Sequence, residues 1–205
     1  MRKEYSQTIK IYEELGKKYV DDTYKVSPAE LPGFINLLKP NSKVLDVGCA
    51  GGRDSRYFVK AGHEVIGIDI VDSFLKEARK RVPKAKFVKM DLLKIYFPHA
   101  YFDAVWAQAV LLHFSKSDLP KILNKFHKIL KPGGILHVRL KRGQGTHLIE
   151  EQLIGNKQRL FTFYYKKEVE EAFKKAGFRI IAARLLPDEL KRKDVKWVSI
   201  WGRKN

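Results

Sequence analysis

Short apolar segments alternate with amphipathic ones through most of the chain, and this alternation limits the possible folds more than any other feature. The β-branched and aromatic character of the apolar segments predicts strands at 43–47, 64–69, 85–90, 102–108 and 135–140. Helical patterns fill the intervals, and each strand–helix pair takes about 20 to 30 residues. Strands that alternate with helices in this way predict an α/β fold with a parallel sheet covered on both faces.

The C-terminal part of the chain follows a different rhythm. A strand-like segment at 160–165 precedes a helical pattern at 166–177, and two further strands are predicted at 178–186 and 195–202. Only residues 187–193 join these two strands, whereas a parallel crossover needs about a dozen residues or more. The last strand is therefore expected to be antiparallel to its neighbour.

The segment before the first predicted strand carries tyrosines at a seven-residue spacing. Tyr5, Tyr12 and Tyr19 lie near one face of a helix that is predicted to end at Tyr24, before Pro28 and Pro32. One interpretation is that these rings simply pack on the core. The other is that residues 1–40 form a helical lid over an α/β core at 41–205, within a single domain that spans 1–205.

Composition narrows the class of protein. The chain has 41 Lys and Arg against 23 Asp and Glu, a net charge of +18, so a nucleic-acid partner is possible. It is not favoured, because the basic residues are scattered and mostly lie beside acids. The single cysteine, Cys49, excludes an internal disulfide framework, and no metal site is expected. No membrane segment or signal sequence is evident, so a cytoplasmic location is expected.

The first predicted strand ends in a glycine-rich turn that carries an acid. Small residues from Gly48 to Gly52 let a ligand approach the backbone at the start of the next helix. The spacing of these glycines differs from the dinucleotide pattern G-x-G-x-x-G. The carboxylate of Asp46 would repel a pyrophosphate, but it suits a ligand with an ammonium or sulfonium cation.

Two more acids follow at the ends of the second and third strands. Asp69 can accept hydrogen bonds from both hydroxyls of a ribose, and Asp91 repeats the arrangement one strand further on. Each acid alone is equally compatible with a helix cap. Together they predict a site for a nucleoside that carries positive charge and no phosphates.

These motifs, in this order, resemble one known family. The segments VLDVGCAGGRDSRYF, VIGIDIVDSFLKEARK, FVKMDL, FDAVWAQAVLLHF and LKPGGILHVRLK are similar to those of the class I S-adenosylmethionine-dependent methyltransferases. The closest likeness is to small stand-alone enzymes of the tellurite-resistance and small-molecule type. The resemblance implies a Rossmann-like, doubly wound sheet of seven strands in the order 3-2-1-4-5-7-6, with the last strand antiparallel.

The resemblance also implies S-adenosylmethionine as the cofactor and a role for each matching residue. Gly48, Cys49, Ala50 and Gly52 would lie under the methionine portion, and Asp46 would hold its amino group. Asp69 would bind the ribose, and Gln108 would lie along the methionine chain. Ile70, Asp91 and Leu92 would surround the adenine. Ala50 departs from the family, in which glycine is usual at that position, and should tighten the steric limits of the turn.

Other candidates rest on position alone. His113, five residues beyond Gln108, could act as a general base, or it could be a structural histidine. Arg53 could clamp the carboxylate of the cofactor or face solvent. Tyr12 or Tyr19 could reach the methionine end of the cofactor if the first helix is a lid.

The class of methyl acceptor is limited mainly by motifs that the sequence lacks. No Asn-Pro-Pro-Tyr or Asp-Pro-Pro-Tyr motif follows the fourth strand, which disfavours methylation of the adenine amino group. The absence of a second cysteine excludes thiolate attack on a pyrimidine ring. A small-molecule acceptor is therefore predicted. The alternatives are an RNA- or protein-modifying methyltransferase that uses the basic surface and a non-catalytic nucleotide-binding subunit. The sequence does not determine the acceptor atom or the oligomeric state.

Overall fold

The computed structural model describes residues 3–151, 156–190, 192 and 194–205. The helices are α1 (Lys3–Tyr24), α2 (Leu31–Ile35), α3 (Ser55–Lys60), α4 (Asp72–Arg81), α5 (Leu119–Ile129) and α6 (Lys166–Lys175). The strands are β1 (Lys43–Val47), β2 (Glu64–Asp69), β3 (Lys86–Lys89), β4 (Phe102–Gln108), β5 (Leu130–Lys141), β6 (Thr146–Glu151), β7 (Lys157–Thr162), β8 (Phe178–Pro187) and β9 (Lys196–Lys204).

Seven of these strands form the main sheet, in the order β3-β2-β1-β4-β5-β9-β8. The first five pair in parallel, and β9 is antiparallel to both β5 and β8. The strands predicted as the sixth and seventh of the sheet are β8 and β9, because β6 and β7 lie outside it. The predicted order 3-2-1-4-5-7-6 and the antiparallel last strand are therefore confirmed. The physical reason is the short link between β8 and β9, which allows a reversal of direction but no crossover.

The structure differs from the sequence prediction after β5. A single strand-like segment is expected at 160–165, but the chain forms an antiparallel hairpin, β6–β7, that lies outside the main sheet. Its pairs run from Thr146 opposite Thr162 to Glu151 opposite Lys157. Residues 163–165 do not continue the strand, and Tyr164 makes only an isolated bridge with Arg142. The polar sequence of β6 gives little alternation from which a strand could be predicted.

The main sheet is buried on both faces, as a parallel sheet requires. Leu45 and Val47 of β1 belong to the largest core cluster, which includes Phe126 of α5. On the opposite face, Val44 packs with Phe34 and Trp106 in a second cluster that α2 and α3 cover. This double burial explains why β1, β2 and β4 are nearly continuous apolar runs in the sequence. Among the described residues, no helix has the length and hydropathy that crossing a bilayer would require.

Helix α1 lies over the end of the sheet and is fastened to α4. It is interrupted at Gly16, whose φ of 46° and ψ of −128° are not helical. On the α4 side, Glu13 accepts hydrogen bonds from the backbone N–H groups of Asp72 (2.7 Å) and Ser73 (3.2 Å). The N-cap residue of α4 is Val71, which makes no side-chain cap. Glu13 therefore supplies, from a distant part of the chain, the acceptor that a capping side chain normally provides.

This capping contact makes a testable difference between two adjacent glutamates. Glu13→Ala is expected to lower the free energy of unfolding by about 1 kcal/mol, the usual value of a lost N-cap acceptor. Glu14→Ala is the matched control, because Glu14 only pairs with Lys157 at the surface and should change stability by less than about 0.5 kcal/mol. Urea unfolding of both variants checks the prediction, and equal losses would contradict it.

Candidate active site

The turn that follows β1 is built so closely that side chains have little room. The backbone N–H groups of Gly48 and Cys49 both donate to the carbonyl of Ile68, at 2.8 and 3.1 Å. Gly48 has a φ of +67°, and a Cβ there would lie 2.5 Å from Val110. Ala50 also has a positive φ, 43°, where an L-residue is strained. The glycine that the family usually has at this position thus matches the backbone conformation.

Gly51 and Gly52 face opposite sides of the turn. A Cβ on Gly51 would lie 2.2 Å from Val20 of α1, and Gly51 lines the cavity above the turn. A Cβ on Gly52 would instead lie 3.1 Å from Val82, in the packing beneath the turn, and Gly52 does not line the cavity. The residue in contact with the cavity is therefore Gly51 and not the predicted Gly52.

A cavity of about 1110 Å³ opens at the carboxyl ends of β1, β2 and β4. This is the place where open α/β sheets bind their ligands. Most of the sequence-predicted site residues line it: Tyr12, Tyr19, Asp46, Gly48, Cys49, Ala50, Arg53, Asp69, Ile70, Leu92, Gln108 and His113. Tyr5, Phe74 and Val110 also line it and were not predicted.

Two carboxylates, the buried Asp46 and the half-buried Asp69, give this cavity its chemical character. Asp69 accepts hydrogen bonds from the backbone N–H groups of Ala50 (2.9 Å) and Val71 (3.0 Å). Asp46 accepts one from the hydroxyl of Ser55 at 2.6 Å. Burial raises the pKa of Asp69 to about 6, and burial together with the nearby Asp54 raises the pKa of Asp46 to about 7. A bound cation or hydroxyl donor would relieve the cost of keeping these groups charged.

Asp91 does not belong to this group. It follows β3, as predicted, but its Oδ1 accepts a hydrogen bond from the backbone N–H of Leu93 at 2.9 Å. It therefore caps the short helical turn at 92–94, and it does not line the cavity, whereas its neighbours Met90 and Leu92 do. The sequence allows Asp91 to be either a ligand contact or a helix cap, and in the structure it is a helix cap.

Arg53 and Cys49 line the cavity in different ways. Arg53 makes a bidentate ion pair with Asp54, at 2.6 and 3.0 Å, and Asp54 also accepts from the indole N–H of Trp106 at 2.9 Å. Arg53 is thus held in one orientation by a buried acid.

Cys49 is buried, and burial raises the pKa of its thiol, which keeps it protonated and unreactive.

Gln108 is fixed in place by a histidine on the neighbouring strand. The side-chain carbonyl of Gln108 accepts from Nε2 of His137 at 2.8 Å. His137 is fully buried and stacks on Trp106 with ring centroids 3.8 Å apart. Burial holds the pKa of His137 well below its usual value, so the ring stays neutral. This contact orients the amide of Gln108 at the cavity.

The tyrosines of α1 form the roof of the cavity. The rings of Tyr12 and Tyr19 lie 5.1 Å apart, although seven residues of continuous helix span about 10.5 Å. The break at Gly16 between them allows this approach. Phe74 of α4 stacks on Tyr19 at 5.3 Å and meets Tyr12 edge-on at 5.6 Å. The three rings therefore join α1 to α4 above the turn.

His113 is held in a defined tautomer beneath this roof. Its Nδ1 lies 2.9 Å from the carbonyl of Leu160, which can only accept, so Nδ1 carries the proton. Nε2 is therefore the acceptor for the Tyr12 hydroxyl at 2.9 Å, and Arg159 donates to the same hydroxyl oxygen. Burial and the nearby Arg159 lower the pKa of His113 to about 3, so the imidazole is neutral.

A second cavity, of about 790 Å³, adjoins the first. Five residues that the sequence analysis assigned to the site line both cavities: Tyr12, Tyr19, Arg53, Gln108 and His113. The outer wall comes from β5, β7 and the link between β8 and β9. It contributes Arg139, Lys141, Arg159, Phe161, Asp188, Glu189 and Arg192. The hairpin that brings Arg159 to this wall is not predicted from the sequence.

Comparisons with known proteins agree with this geometry. The family model of the methyltransferase domain matches residues 45–138. An uncharacterized methyltransferase of Synechocystis is 34% identical over 52% of this chain and 50% of its own length. The phosphoethanolamine N-methyltransferase of Plasmodium falciparum is 28% identical over 88% of this chain and 70% of its own length. The chain thus spans half the length of the first of these relatives and over two thirds of the second.

The fold also matches solved structures. The 1,6-didemethyltoxoflavin-N1-methyltransferase of Burkholderia thailandensis, solved with S-adenosylhomocysteine, has a TM-score of 0.75 and 20% identity. The match covers 98% of this chain and 88% of the other. The sheet order and the cavity at its carboxyl edge define a doubly wound α/β domain, a fold that binds its ligands at this edge. Residues 45–138 thus match the methyltransferase domain, and the fold of the chain is that of a methyltransferase solved with S-adenosylhomocysteine, the demethylated product of S-adenosylmethionine.

The strained turn generates a stability prediction. Ala50→Gly is expected to raise the free energy of unfolding by about 0.5–1 kcal/mol. Glycine avoids the strain of the left-handed backbone conformation, which is about 1–2 kcal/mol, but its greater chain entropy in the unfolded state cancels part of this gain. Ala61→Gly is the control, since Ala61 is exposed with a φ of −81° and should lose about 0.5–1 kcal/mol. Opposite signs in thermal unfolding are expected, and a loss at position 50 would contradict the account.

The raised pKa of Asp46 generates a pH prediction. The folded protein binds the proton of the Asp46 carboxyl more tightly than the unfolded chain does. Protonation therefore makes its full contribution to the free energy of unfolding below about pH 4, and this contribution is lost as the pH rises through about 7. Asp46→Asn should therefore raise stability at pH 8 by more than about 1.4 kcal/mol, the value of one tenfold change in proton affinity. At pH 4 the variant and the wild type should be nearly equal.

Urea unfolding at several pH values measures this effect. Asp72→Asn is the control, because the side chain of Asp72 is 53% exposed and pairs with Lys89 at the surface. The control should follow the wild-type pH profile. A profile of Asp46→Asn that also coincides with the wild type would show that Asp46 is not the titrating group.

Proposed function

We propose that the chain transfers a methyl group from S-adenosylmethionine to a small molecule bound in the second cavity. The observation that carries the proposal is the junction of the two cavities. One is lined by the glycine turn and by carboxylates, and the other by cations, and they meet at Tyr12, Tyr19, Gln108 and His113. A methyl donor in the first and an acceptor in the second would face each other across this junction.

The residues around the first cavity fit the cofactor in chemical type. Asp69 would accept from the ribose hydroxyls, and Asp46 would hold the ammonium group of the methionine portion, directly or through water. The backbone from Gly48 to Ala50 would lie beneath that portion, with Ile70 and Leu92 against the adenine. The group supplies an electrophilic methyl, so alignment of the acceptor provides much of the rate enhancement.

Tyr12 and His113 would handle the proton that an acceptor releases. The Tyr12 hydroxyl lies at the junction of the two cavities and donates to Nε2 of His113. The hydrogen bond from Nδ1 of His113 to the carbonyl of Leu160 fixes the ring so that the lone pair of Nε2 faces this hydroxyl. A proton taken up by this pair would be shared between the hydroxyl and the imidazole. The neutral His113 can accept a proton, but a pKa of about 3 makes it a weak base in the empty site, so the bound acceptor would have to raise that pKa for general-base catalysis.

The first helix is proposed to act as a lid, with residues 1–40 as the covering segment. Val20 packs on Gly51, Tyr12 and Tyr19 cover the cavity, and Glu13 fastens the helix to α4. Opening of these contacts would let S-adenosylmethionine enter the cavity. Lids of this kind exclude water and complete the site on closing.

A small-molecule acceptor is favoured over a macromolecule by the burial of the basic residues at the site. Arg139, Arg159 and Lys141 are 1%, 3% and 6% exposed, so they lie inside the cavity wall and not on an open surface. The names of the Plasmodium and Burkholderia enzymes also denote small-molecule acceptors.

Cofactor binding is the first test. Calorimetry with S-adenosylhomocysteine is expected to show binding to the wild type. Asp69→Asn should weaken it by about 1.5–3 kcal/mol, the value of lost hydrogen bonds to a charged group. Asp72→Asn, three residues away and outside the cavity, is the control and should bind as the wild type does. Equal affinity of the Asp69 variant would show that the ribose is held elsewhere.

The acceptor class needs a second experiment. Radiolabelled S-adenosylmethionine would be incubated with the protein and with a metabolite panel, which includes phosphoethanolamine, the acceptor named for the Plasmodium relative. Parallel reactions would contain total RNA or protein extract. Label in a small molecule supports the proposal. Label only in RNA or protein would contradict it, and cofactor binding without transfer to any acceptor would favour a non-catalytic subunit.

A further inference from the structure

Gln108 lies where the two cavities meet, and one end of its side-chain amide is already engaged. The residue ends β4, is half-buried and lines both cavities. Its side-chain carbonyl oxygen lies 2.8 Å from Nε2 of His137. Because a carbonyl oxygen can only accept, Nε2 carries the proton of the imidazole. The amide nitrogen of Gln108, with its two N–H groups, is therefore left for a ligand in the cavity.

The surroundings of His137 favour this tautomer. The ring is fully buried among the rings of Trp106, Phe34 and Trp201, at centroid distances of 3.8, 6.0 and 6.4 Å. Its Nδ1 has no hydrogen-bond partner among the described residues. A proton on Nδ1 would leave a buried N–H group without an acceptor, which is costly. The neutral ring is therefore expected to keep its single proton on Nε2, toward Gln108.

Strand pairing brings the two side chains together. Strands β4 and β5 are parallel, with Trp106 opposite His137 and Gln108 opposite Arg139. Residues two apart in a strand face the same side of the sheet, so Trp106 and Gln108 share a face. Trp106 stacks on the imidazole with an angle of 17° between the ring planes. The stack fixes the plane of the ring, and the hydrogen bond to Gln108 follows from that plane.

The same tryptophan connects His137 to the start of α3. The indole N–H of Trp106 donates to Asp54 at 2.9 Å, and Asp54 holds Arg53 in a bidentate ion pair. Arg53 and Gln108 both line the two cavities. One buried assembly therefore fixes the orientation of two donor groups at the place where the cavities meet.

We propose that His137 is a positioning residue, which turns the N–H groups of Gln108 toward the cavity to bind the carboxylate of the cofactor's methionine portion. Asp46, the acid proposed for the ammonium group, is opposite Trp106 in the pairing of β1 with β4. The two charged ends of the amino acid would then meet groups of opposite hydrogen-bonding character on neighbouring strands. The inference rests on the proposed function, since it concerns how that site holds its cofactor.

The orientation matters because an amide can present either of two chemistries. Turned round, Gln108 would direct its carbonyl oxygen at the ligand, and this oxygen would repel a carboxylate and compete with Asp46 for the ammonium group. The protonated Nε2 of His137 has no lone pair, so it cannot accept from the amide N–H groups in that arrangement. His137 thus selects the orientation in which Gln108 is a donor.

The test compares two replacements of His137 that separate hydrogen bonding from packing. His137→Gln places an amide nitrogen near the position of Nε2, so it can still donate to Gln108, but it loses the ring. His137→Phe keeps a ring that can stack on Trp106 but cannot donate. Calorimetry with S-adenosylhomocysteine is expected to show nearly wild-type affinity for His137→Gln and a loss of about tenfold for His137→Phe. A role in packing alone would reverse this order.

Further variants and a second ligand locate the effect. Gln108→Met should weaken binding of S-adenosylhomocysteine by about tenfold or more, and adding His137→Phe should cause no further loss, because His137 acts through Gln108. Methylthioadenosine lacks the amino and carboxylate groups, so its affinity should be the same in all these variants. His127→Phe is the matched control, since His127 also faces an aromatic ring, Phe178, but lies outside both cavities. It should bind S-adenosylhomocysteine as the wild type does.

The tautomer of His137 can be measured without any ligand. A long-range proton–nitrogen magnetic resonance spectrum of the nitrogen-labelled protein shows which ring nitrogen carries the proton. The proton is expected on Nε2. A proton on Nδ1 would overturn the inference, because Nε2 would then accept from the amide of Gln108 and turn its carbonyl oxygen to the cavity.

The outcomes separate the two levels of the account. Equal affinities for S-adenosylhomocysteine in the wild type, His137→Phe and Gln108→Met would overturn the inference and leave the proposed function intact. Equal losses in both His137 variants, or an equal loss for methylthioadenosine, would also overturn it. Failure of the wild type to bind S-adenosylhomocysteine would instead overturn the proposed function, and the resonance spectrum would still decide whether His137 orients Gln108.

Discussion

The rest of the site depends on the glycine-rich turn between β1 and α3, which lines the first cavity and packs against α1. Gly48 and Gly51 leave no room for a Cβ, because Val110 and Val20 occupy that space. The loop after β4 and the helix α1 can therefore both pack directly on the turn. The same absence of side chains lets a ligand lie against the backbone. Replacing either glycine would disturb the roof and the floor of the cavity at once.

Charge at the site is arranged in two zones. Around the first cavity, burial raises the pKa values of Asp46 and Asp69, so the empty protein keeps two acids in a place that disfavours their ionisation. Around the second, burial and mutual repulsion lower the pKa of Lys141. In both zones, burial disfavours the charged forms of these groups. Binding sites commonly keep such groups ready at some cost in stability.

The parts of this structure that the sequence predicts are those that depend on local pattern. The alternation of apolar and helical segments predicts the sheet, and the short link after Pro187 predicts its antiparallel strand. The positive φ of Ala50 agrees with the expectation that this position suits glycine. The cavity is also lined by most of the residues that the family resemblance implies.

The remaining features depend on contacts that local pattern does not encode. The β6–β7 hairpin has little alternation, so the arrival of Arg159 beside Tyr12 could not be foreseen. Asp91 ends a strand in the expected way, but it caps the next turn and lies outside the cavity lining. Whether Gly51 or Gly52 lines the cavity depends on which of them faces α1, and two adjacent glycines give no sequence signal for that choice.

The central claim is that α1 is a lid whose contacts with the glycine turn and α4 open and close around the cofactor. Hydrogen exchange with and without S-adenosylhomocysteine tests it most directly. Amides from Ile9 to Tyr24 should exchange faster in the empty protein and gain protection with the ligand, whereas amides of α5 should not change. Full protection of α1 without ligand, or no gain with it, would contradict the account and leave the tyrosines as packing residues.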